Sequence, residues 1–268
     1  SGTSQSVATA DFNADGKPDL AVANFFPFTV SILLGEGNGT FSAPADFLAA
    51  ASPRWVTAAD FNGDAELDLA VASLGANAVS ILLGNGDGTF GTHHDFPAGG
   101  EAYYVVAADF NGDGKLDLAT ANRNTNTISI LLGNGDGTFG PKTDFPTGST
   151  PQSSVATGDF NRDGRLDLAV GNQLSDTVSV LLGNGDGTFA PKADFPTAFA
   201  PLAVTTQDFN ADGNLDLAVA TGARALSVLL GNGDGTFSPR ADFTIGPGAQ
   251  SVAAGDFNAD GKVDLVTE

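Results

Sequence analysis

Cysteine and methionine are absent from the 268-residue chain, tryptophan occurs once and tyrosine twice. Without cysteine, the chain can form neither disulfide bonds nor thiolate metal sites. It contains no apolar run of 18 residues and no recognisable signal peptide, so the sequence predicts no insertion into a membrane. Because residue 1 is not methionine, we expect a mature protein, a fragment or an excised module.

Basic residues are also scarce, because 11 Lys and Arg stand against 32 Asp and Glu, for a formal net charge of −21. Binding to nucleic acid requires basic patches, so the composition predicts no nucleic-acid partner. Acidity of this size has two interpretations. It can keep a secreted protein soluble, or the carboxylates can bind cations.

Turn-forming residues are abundant, and they recur in a repeat. The string Asp-Phe-Asn begins at Asp11, Asp60, Asp109, Asp159, Asp208 and Asp256, at intervals of 49, 49, 50, 49 and 48 residues. A second string, LLGxGxGTF, follows in the first five copies. The sequence therefore predicts one domain over 1–268, with repeats at about 1–49, 50–98, 99–148, 149–197 and 198–248 and a half repeat at 249–268.

Within each repeat the apolar pattern has a period of two, which is typical of short β-strands. The first repeat predicts strands A (about 5–11), B (19–24), C (29–34) and D (40–48), joined by tight turns such as the Asn-Gly-Asp-Gly segment. Four-stranded units of this length are typical of propeller blades. The predicted fold is an all-β propeller with five full antiparallel blades and a sixth A–B half blade.

The motifs DFNxDGxxDLAVAN and LLGNGDGTF resemble the FG-GAP/VCBS repeat, the blade of integrin α-subunit propellers and of many bacterial extracellular proteins. The resemblance covers the whole chain. It implies a calcium-binding propeller used for adhesion or recognition, and it implies no particular ligand.

The aspartate loop, D-x-N-x-D-G-x-x-D, offers oxygen ligands at positions 1, 3, 5, 7 and 9, where position 7 contributes its backbone carbonyl. Calcium prefers six to eight such ligands, whereas Mg²⁺ demands a stricter octahedron. The sequence therefore predicts about six Ca²⁺ ions. The predicted ligands are Asp11, Asn13, Asp15, Lys17 and Asp19; Asp60, Asn62, Asp64, Glu66 and Asp68; Asp109, Asn111, Asp113, Lys115 and Asp117; Asp159, Asn161, Asp163, Arg165 and Asp167; Asp208, Asn210, Asp212, Asn214 and Asp216; and Asp256, Asn258, Asp260, Lys262 and Asp264.

The number of carboxylates in the aspartate loops favours cation binding over the alternative that the loops are Asx turns without a metal. The six loops hold 18 aspartates, more than half of the 32 acidic residues, and six Ca²⁺ ions would bring the net charge from −21 to −9. The second loop has Ala65 where the other loops have glycine, and we expect it to be the weakest or most strained site. The acidic residues of the NGDG turns and of the Asp-Phe pairs are interpreted as turn or cap residues, with the Phe of each pair in the core.

An up-down blade places the A–B and C–D connections at one end and the B–C and D–A connections at the other. The segments that vary between repeats are therefore predicted to share one face, which is typical of a binding surface. Its candidate ligand-binding residues are Phe25, Phe26, Phe28, Trp55, Tyr103, Tyr104 and Phe199, with Arg54, Arg123 and Arg224 nearby. An equally good interpretation is that these loops drift and that the aromatic rings only seal the ends of the blades.

Catalysis is not predicted, because His93 and His94 are adjacent in a strand and no paired-carboxylate or Ser-His-Asp arrangement stands out. The sequence predicts a calcium-binding extracellular or cell-surface module that binds a protein or carbohydrate ligand. Self-assembly through the incomplete sixth blade, and a non-catalytic domain of a carbohydrate-active enzyme, remain as alternatives. For the half blade itself, a fragment of a longer propeller and a ring with one two-stranded blade are also open.

Overall fold

The computed structural model describes residues 3–246 and 249–268. Within those ranges all regular secondary structure is β-strand, and no helix is long and apolar enough to cross a membrane. The strands form five four-stranded sheets and one two-stranded sheet, each connected in sequence order. The described strand pairs are antiparallel, so each sheet is an up-down meander, as the repeat predicts.

Contacts divide the chain into two compact units. Unit 1 comprises Ser1–Asp109, Asp113–Thr125 and Ser129–Asp144, and unit 2 comprises Phe110–Gly112, Asn126–Ile128 and Phe145–Glu268. The prediction of a single domain stays a prediction.

The first three sheets run in order from strand A to strand D. Their strands are β1 (Ser4–Ala10), β2 (Asp19–Asn24), β3 (Thr29–Leu33) and β4 (Ala45–Leu48); β5 (Pro53–Ala59), β6 (Asp68–Ser73), β7 (Ala78–Leu82) and β8 (His94–Pro97); and β9 (Ala102–Ala108), β10 (Asp117–Asn122), β11 (Thr127–Leu131) and β12 (Thr143–Pro146).

The remaining sheets repeat this order. Their strands are β13 (Val155–Gly158), β14 (Asp167–Asn172), β15 (Thr177–Leu181) and β16 (Ala193–Pro196); β17 (Pro201–Gln207), β18 (Asp216–Thr221), β19 (Ala225–Leu229) and β20 (Ala241–Thr244); and the two-stranded sheet of β21 (Val252–Gly255) and β22 (Asp264–Thr267).

Strand D is shorter than the sequence pattern predicts. The first copy begins at Ala45, not at residue 40, and Phe41 makes only an isolated bridge to Gly35. Pro44 directly precedes the strand, and proline has no N–H to donate to a ladder. The C–D connection is therefore a wide loop around the NGDG turn.

The core lies between consecutive sheets within each unit. Strands B such as β6 and β10 are buried at every position, because both of their faces are covered. In unit 1 one apolar cluster joins Val30 and Ile32 of the first sheet to Val56 and Leu69 of the second. Equivalent clusters lie between the second and third sheets and, in unit 2, between the fourth and fifth.

Phenylalanine rings connect each repeat to the next. The ring of Phe90, from the second GTF segment, lies between Phe12 and Phe47 of the first repeat, with centroid distances of 5.7 and 5.5 Å and edge-to-face geometry. Three further copies of this triple use Phe139, Phe189 and Phe237 as the inserted ring. Edge-to-face pairs add to the burial of apolar area.

Candidate functional sites

The aspartate loop is a compact turn stabilised by its own carboxylates. In the first copy the Asp11 carboxylate accepts hydrogen bonds from the backbone N–H groups of Asp15 (3.1 Å) and Gly16 (2.7 Å). Asp15 accepts one from the N–H of Lys17 at 2.9 Å. The other loops repeat the bonds made by the N–H groups of Gly16 and Lys17.

The ninth residue of the loop has a different position. Asp19 is fully buried, and its two carboxylate oxygens accept from the N–H groups of Phe12 (2.8 Å) and Gly35 (2.6 Å). It therefore joins the A–B loop to the C–D connection. The approach requires glycine, because a Cβ on Gly35 would lie 2.1 Å from the carbonyl oxygen of Pro18.

The buried aspartates carry an electrostatic cost. Burial, followed by repulsion from Asp163 and Asp159, raises the pKa of Asp167 to about 6. The pKa values of Asp68 and Asp216 are raised by the same causes. Three carboxylates of one loop are therefore close enough to repel one another, which is the condition that a cation would relieve.

The donor set fits a calcium ion, although the loop carboxylates here bond to backbone N–H groups. Within residues 3–246 and 249–268, no three Asp, Glu or His side chains are placed so that they could enclose a metal ion. A carboxylate oxygen that accepts one N–H keeps a further lone pair for a ligand. The predicted residues supply the hard oxygens that calcium prefers, and calcium binding stays a prediction.

The second loop places an alanine in a left-handed conformation. Ala65 has φ of +70°, close to the +81° of Gly16 and Gly114 at the same position. The left-handed region is disfavoured for a residue with a Cβ. Four other loops also hold a non-glycine residue with positive φ, namely Ala14, Arg162, Ala211 and Ala259. That the second loop is the weakest or most strained site therefore stays a prediction.

The remaining acidic residues of the repeat have structural bonds. Asp87 accepts from the N–H and the hydroxyl group of Thr89, and this hydroxyl lowers the pKa of Asp87. The interpretation of the NGDG aspartates as turn residues is therefore confirmed. Asp46, in contrast, is not a turn or cap residue, since it lies in strand D and accepts from the hydroxyl of Ser31 in strand C.

We call the A–B loops and NGDG turns of a blade its aspartate end, and the B–C turns and D–A segments its variable end. In the first four repeats the aspartate end contacts the next repeat, for example through the N–H of Gly88 and the carbonyl of Phe12 at 2.9 Å. At the variable end, the N–H of Leu74 donates to the carbonyl of Ser52 at 3.0 Å. Within a blade the A–B loop therefore lies beside the C–D connection, and the B–C turn lies beside the D–A segment, as the meander predicts.

One turn position at the variable end differs between repeats. The last residue before strand C has positive φ in five repeats: Phe28 (70°), Asn77 (54°), Asn126 (56°), Asp176 (52°) and Arg224 (59°). The side-chain oxygens of Asn77, Asn126 and Asp176 each accept the N–H of the residue 24 positions later, at 2.7–2.8 Å. Phenylalanine and arginine have no acceptor for this bond.

Phe28 belongs to an aromatic cluster in the first B–C turn, in which Phe26 is exposed and Phe25 and Phe28 are half-buried. Its ring centroid lies 5.0 Å from that of Phe26, which lies 5.0 Å from that of Phe25. The Phe26 side chain is 55% exposed. Phe199, in a D–A segment of unit 2, is 66% exposed.

Trp55 and Tyr104 lie in strands β5 and β9, not in the connections where the sequence pattern placed them. Their ring centroids are 4.2 Å apart, and Trp55 packs on the apolar cluster between the second and third sheets. Burial raises the pKa of Tyr104 to about 12. These two rings fit the interpretation that aromatic residues seal the blade ends. The predicted D–A segment 245–250 includes residues 247 and 248, which lie outside the described residues.

Comparison with known families decides the identity of the repeat. A family model described as FG-GAP-like repeat matches five times, at 11–71, 60–120, 109–170, 160–219 and 208–267. The chain belongs to the FG-GAP-like repeat family. The predicted family is confirmed, and each match spans the aspartate loops of two consecutive FG-GAP-like repeats.

Solved structures show the same fold. An Agrocybe aegerita lectin, solved to show specific recognition of non-reducing terminal N-acetylglucosamine, is 22% identical with a TM-score of 0.69, covering 99% of this chain and 75% of the lectin. BBS1N, solved in complex with ARL6DN, is 13% identical with a TM-score of 0.68, covering 97% and 74%. The V. cholerae biofilm matrix protein Bap1 is 19% identical with a TM-score of 0.59, covering 94% and 42%.

A comparison with curated protein sequences finds no match. Identities at this level show the fold alone. The predicted β-propeller is confirmed, with five four-stranded sheets and one two-stranded sheet.

Proposed function

We propose that this FG-GAP-like propeller is a non-catalytic recognition module that binds calcium at its aspartate ends and a protein or carbohydrate ligand at its variable ends. We place it outside the cell or at the cell surface, where free calcium is abundant enough to occupy sites of modest affinity. One observation carries the proposal: the first repeat has an exposed aromatic cluster where three other repeats have a structural hydrogen bond.

With the aromatic cluster, the first repeat lacks a hydrogen bond that three other repeats make, and this difference costs stability. A left-handed conformation costs roughly 1–2 kcal/mol in a residue that has a Cβ, and asparagine reduces that cost by bonding locally. Phe28 adopts φ of +70° without such a bond. Phe28 is half-buried beside the exposed ring of Phe26, and backbone strain retained there favours a functional role.

The structural neighbours support recognition as the general role. The lectin recognises N-acetylglucosamine, BBS1N was solved with a protein partner, and Bap1 is a biofilm matrix protein. Propellers of this fold therefore occur in proteins that bind sugars and in proteins that bind proteins. Either class of ligand is compatible with an exposed cluster of Phe25, Phe26 and Phe28.

Calcium has a structural role in this proposal. The aspartate loops belong to the A–B connections, and Asp19 and its equivalents bond them to the C–D connections. The variable ends lie at the opposite end of each meander. We therefore expect calcium to stabilise the blades without contacting the ligand.

The test is a glycan-array and surface-binding screen of the calcium-loaded chain and two variants. Phe26→Ala removes the most exposed ring of the cluster. Leu48→Ala is the matched control, because Leu48 is 69% exposed in strand D of the same sheet. We expect ligands of the parent chain to be lost with Phe26→Ala and kept with Leu48→Ala. Equal ligand profiles for all three proteins would remove the cluster from the proposal.

Self-assembly is the second candidate, favoured by the two-stranded sheet of β21 and β22. Val266 in β22 is 51% exposed, and Phe257 in the loop between the two strands is 61% exposed. Light scattering across a hundredfold concentration range tests it, and a constant molecular mass would count against assembly.

A further inference from the structure

The A strands of unit 1, which are β1, β5 and β9, each carry a β-bulge at the same position. In β1 the pairing passes from Ser4↔Asn24 to Ser6↔Ala23 and leaves Gln5 without a partner residue. The register shifts in β5 and β9 leave out Arg54 and Tyr103 in the same way. A bulge re-aims the side chain of its extra residue and is often found beside a binding site.

The three bulge side chains form a row. The Arg54 guanidinium donates one hydrogen bond to the side-chain oxygen of Gln5 and another to the hydroxyl of Tyr103. Its central carbon lies 4.4 Å from the centroid of the Tyr103 ring. All three residues are half-buried, so the row is both fixed and reachable from solvent.

Arg54 is a positive charge without an acidic partner in a chain of net charge −21. Among the residues that the structure describes, no carboxylate lies within ion-pair distance of its guanidinium. Arg123, another arginine of the variable ends, pairs with Glu101 at 3.2 Å. A guanidinium has five N–H donors, and two of those on Arg54 are used in the row.

We propose that the row of Gln5, Arg54 and Tyr103 binds the carboxylate of an acidic sugar such as a uronic acid. The planar guanidinium matches a carboxylate with two parallel N–H donors, and the amide of Gln5 and the hydroxyl of Tyr103 are suited to sugar hydroxyl groups. The three residues come from three consecutive blades and meet at the Arg54 guanidinium, so one small ligand can contact all of them. This inference deepens the proposed recognition function by naming a ligand class and a site apart from the Phe25, Phe26 and Phe28 cluster.

The test is calorimetric titration of the calcium-loaded full chain with sodium D-glucuronate, D-glucose and N-acetylglycine. We expect glucuronate to bind about tenfold tighter than glucose or more, because hydrogen bonds to charged groups discriminate at that level. Arg54→Gln should lower glucuronate affinity by a similar factor. Arg224→Gln, which removes one charge from a B–C turn of unit 2, should leave it unchanged.

Each other outcome overturns the proposal. N-acetylglycine binding as tightly as glucuronate would assign the row to peptide carboxylates. Equal affinity of the parent and Arg54→Gln proteins, or no affinity for glucuronate, would exclude the row as an acidic-sugar site.

Should Arg54→Gln prove unfolded by circular dichroism, an NMR titration of the parent chain replaces it. Glucuronate must then shift the Arg54 side-chain N–H signal, and an unmoved signal refutes the proposal. Loss of the glucuronate result alone leaves the Phe26→Ala ligand screen intact, so the two failures are distinguishable.

Discussion

The two ends of the blades obey different constraints. At the aspartate end, the ninth loop residue is buried in five repeats and bonds to the same backbone groups in each repeat where both bonds are described. At the variable end, the left-handed position before strand C is an acceptor in three repeats and Phe28 or Arg224 in the other two. The aspartate end is therefore fixed by hydrogen bonds that recur from repeat to repeat. At the variable end, two repeats lack a hydrogen bond that three other repeats make.

Removal of calcium should show the largest difference between the two ends, because the predicted calcium sites lie only at the aspartate ends. A ligand at a hundredfold excess over its dissociation constant stabilises the native state by about 2.7 kcal/mol for each site. With six loops, we expect chelator to lower the thermal midpoint by well over 10 °C, measured by differential scanning calorimetry. Magnesium is the control, and it should restore little of the loss. Equal midpoints with calcium and with chelator would show that the loops are Asx turns alone.

Loss of a buried aspartate should have the next largest effect. Asp68→Ala leaves the N–H groups of Phe61 and Gly84 without acceptors, and each unsatisfied buried donor costs about 1–3 kcal/mol. We expect unfolding free energy to fall by about 3 kcal/mol in urea titrations under chelator, where the metal makes no contribution. At the variable end, Asp176→Ala removes one bond and should cost about 1 kcal/mol. A larger loss for Asp176→Ala would reverse the comparison.

Phe28→Asn should make the first repeat resemble the others. Asparagine relieves part of the left-handed strain and can accept the N–H of Ser52, which stands 24 residues later, so we expect a gain of about 1–2 kcal/mol. The same variant should lose the ligand of the aromatic cluster. The reverse change, Asn77→Phe, is the control and should destabilise by a similar amount in the same urea titration. A stabilised Phe28→Asn protein with full ligand binding would mean that the cluster has no role in recognition.

Ala65→Gly should have the smallest effect, confined to one aspartate loop. Glycine removes a left-handed cost of about 1 kcal/mol, and it should also tighten calcium at the second loop. Matched urea titrations with calcium and with chelator would measure both parts. The control Ala51→Gly lies outside the aspartate loops and should show no calcium-dependent gain.

The repeat period and the alternation of apolar residues predicted the fold, because every blade obeys the same local rules. The sequence also predicted that Ala65 would be strained, since its equivalents are glycine. It did not reveal that Asp19 bonds to Gly35, because this contact joins residues 16 positions apart through a turn of unknown geometry. Spacing alone placed Asp19 among the loop ligands and could not show its burial.

The row of Gln5, Arg54 and Tyr103 could not be predicted for a related reason. A bulge is a property of pairing between two strands, and the residue that it leaves out is not marked in either strand alone. The internal alignment does place the three residues at the same position before the aspartate loop, about 49 residues apart. This shared position was the signal in the sequence. It predicts that the three side chains meet only when neighbouring blades are known to pack side by side.

The inserted phenylalanine rings, such as Phe90 between Phe12 and Phe47, have a consequence for how such a chain can change its length. The second, third and fourth repeats each bring one ring for the preceding repeat and two rings that receive the next. Duplication of a whole repeat therefore adds one inserted ring and one pair of receiving rings, and every existing ring contact is preserved. Loss of part of a repeat leaves an inserted ring without a receiving pair, or a receiving pair without a ring. Genes built from this unit should consequently vary by whole repeats more readily than by fragments.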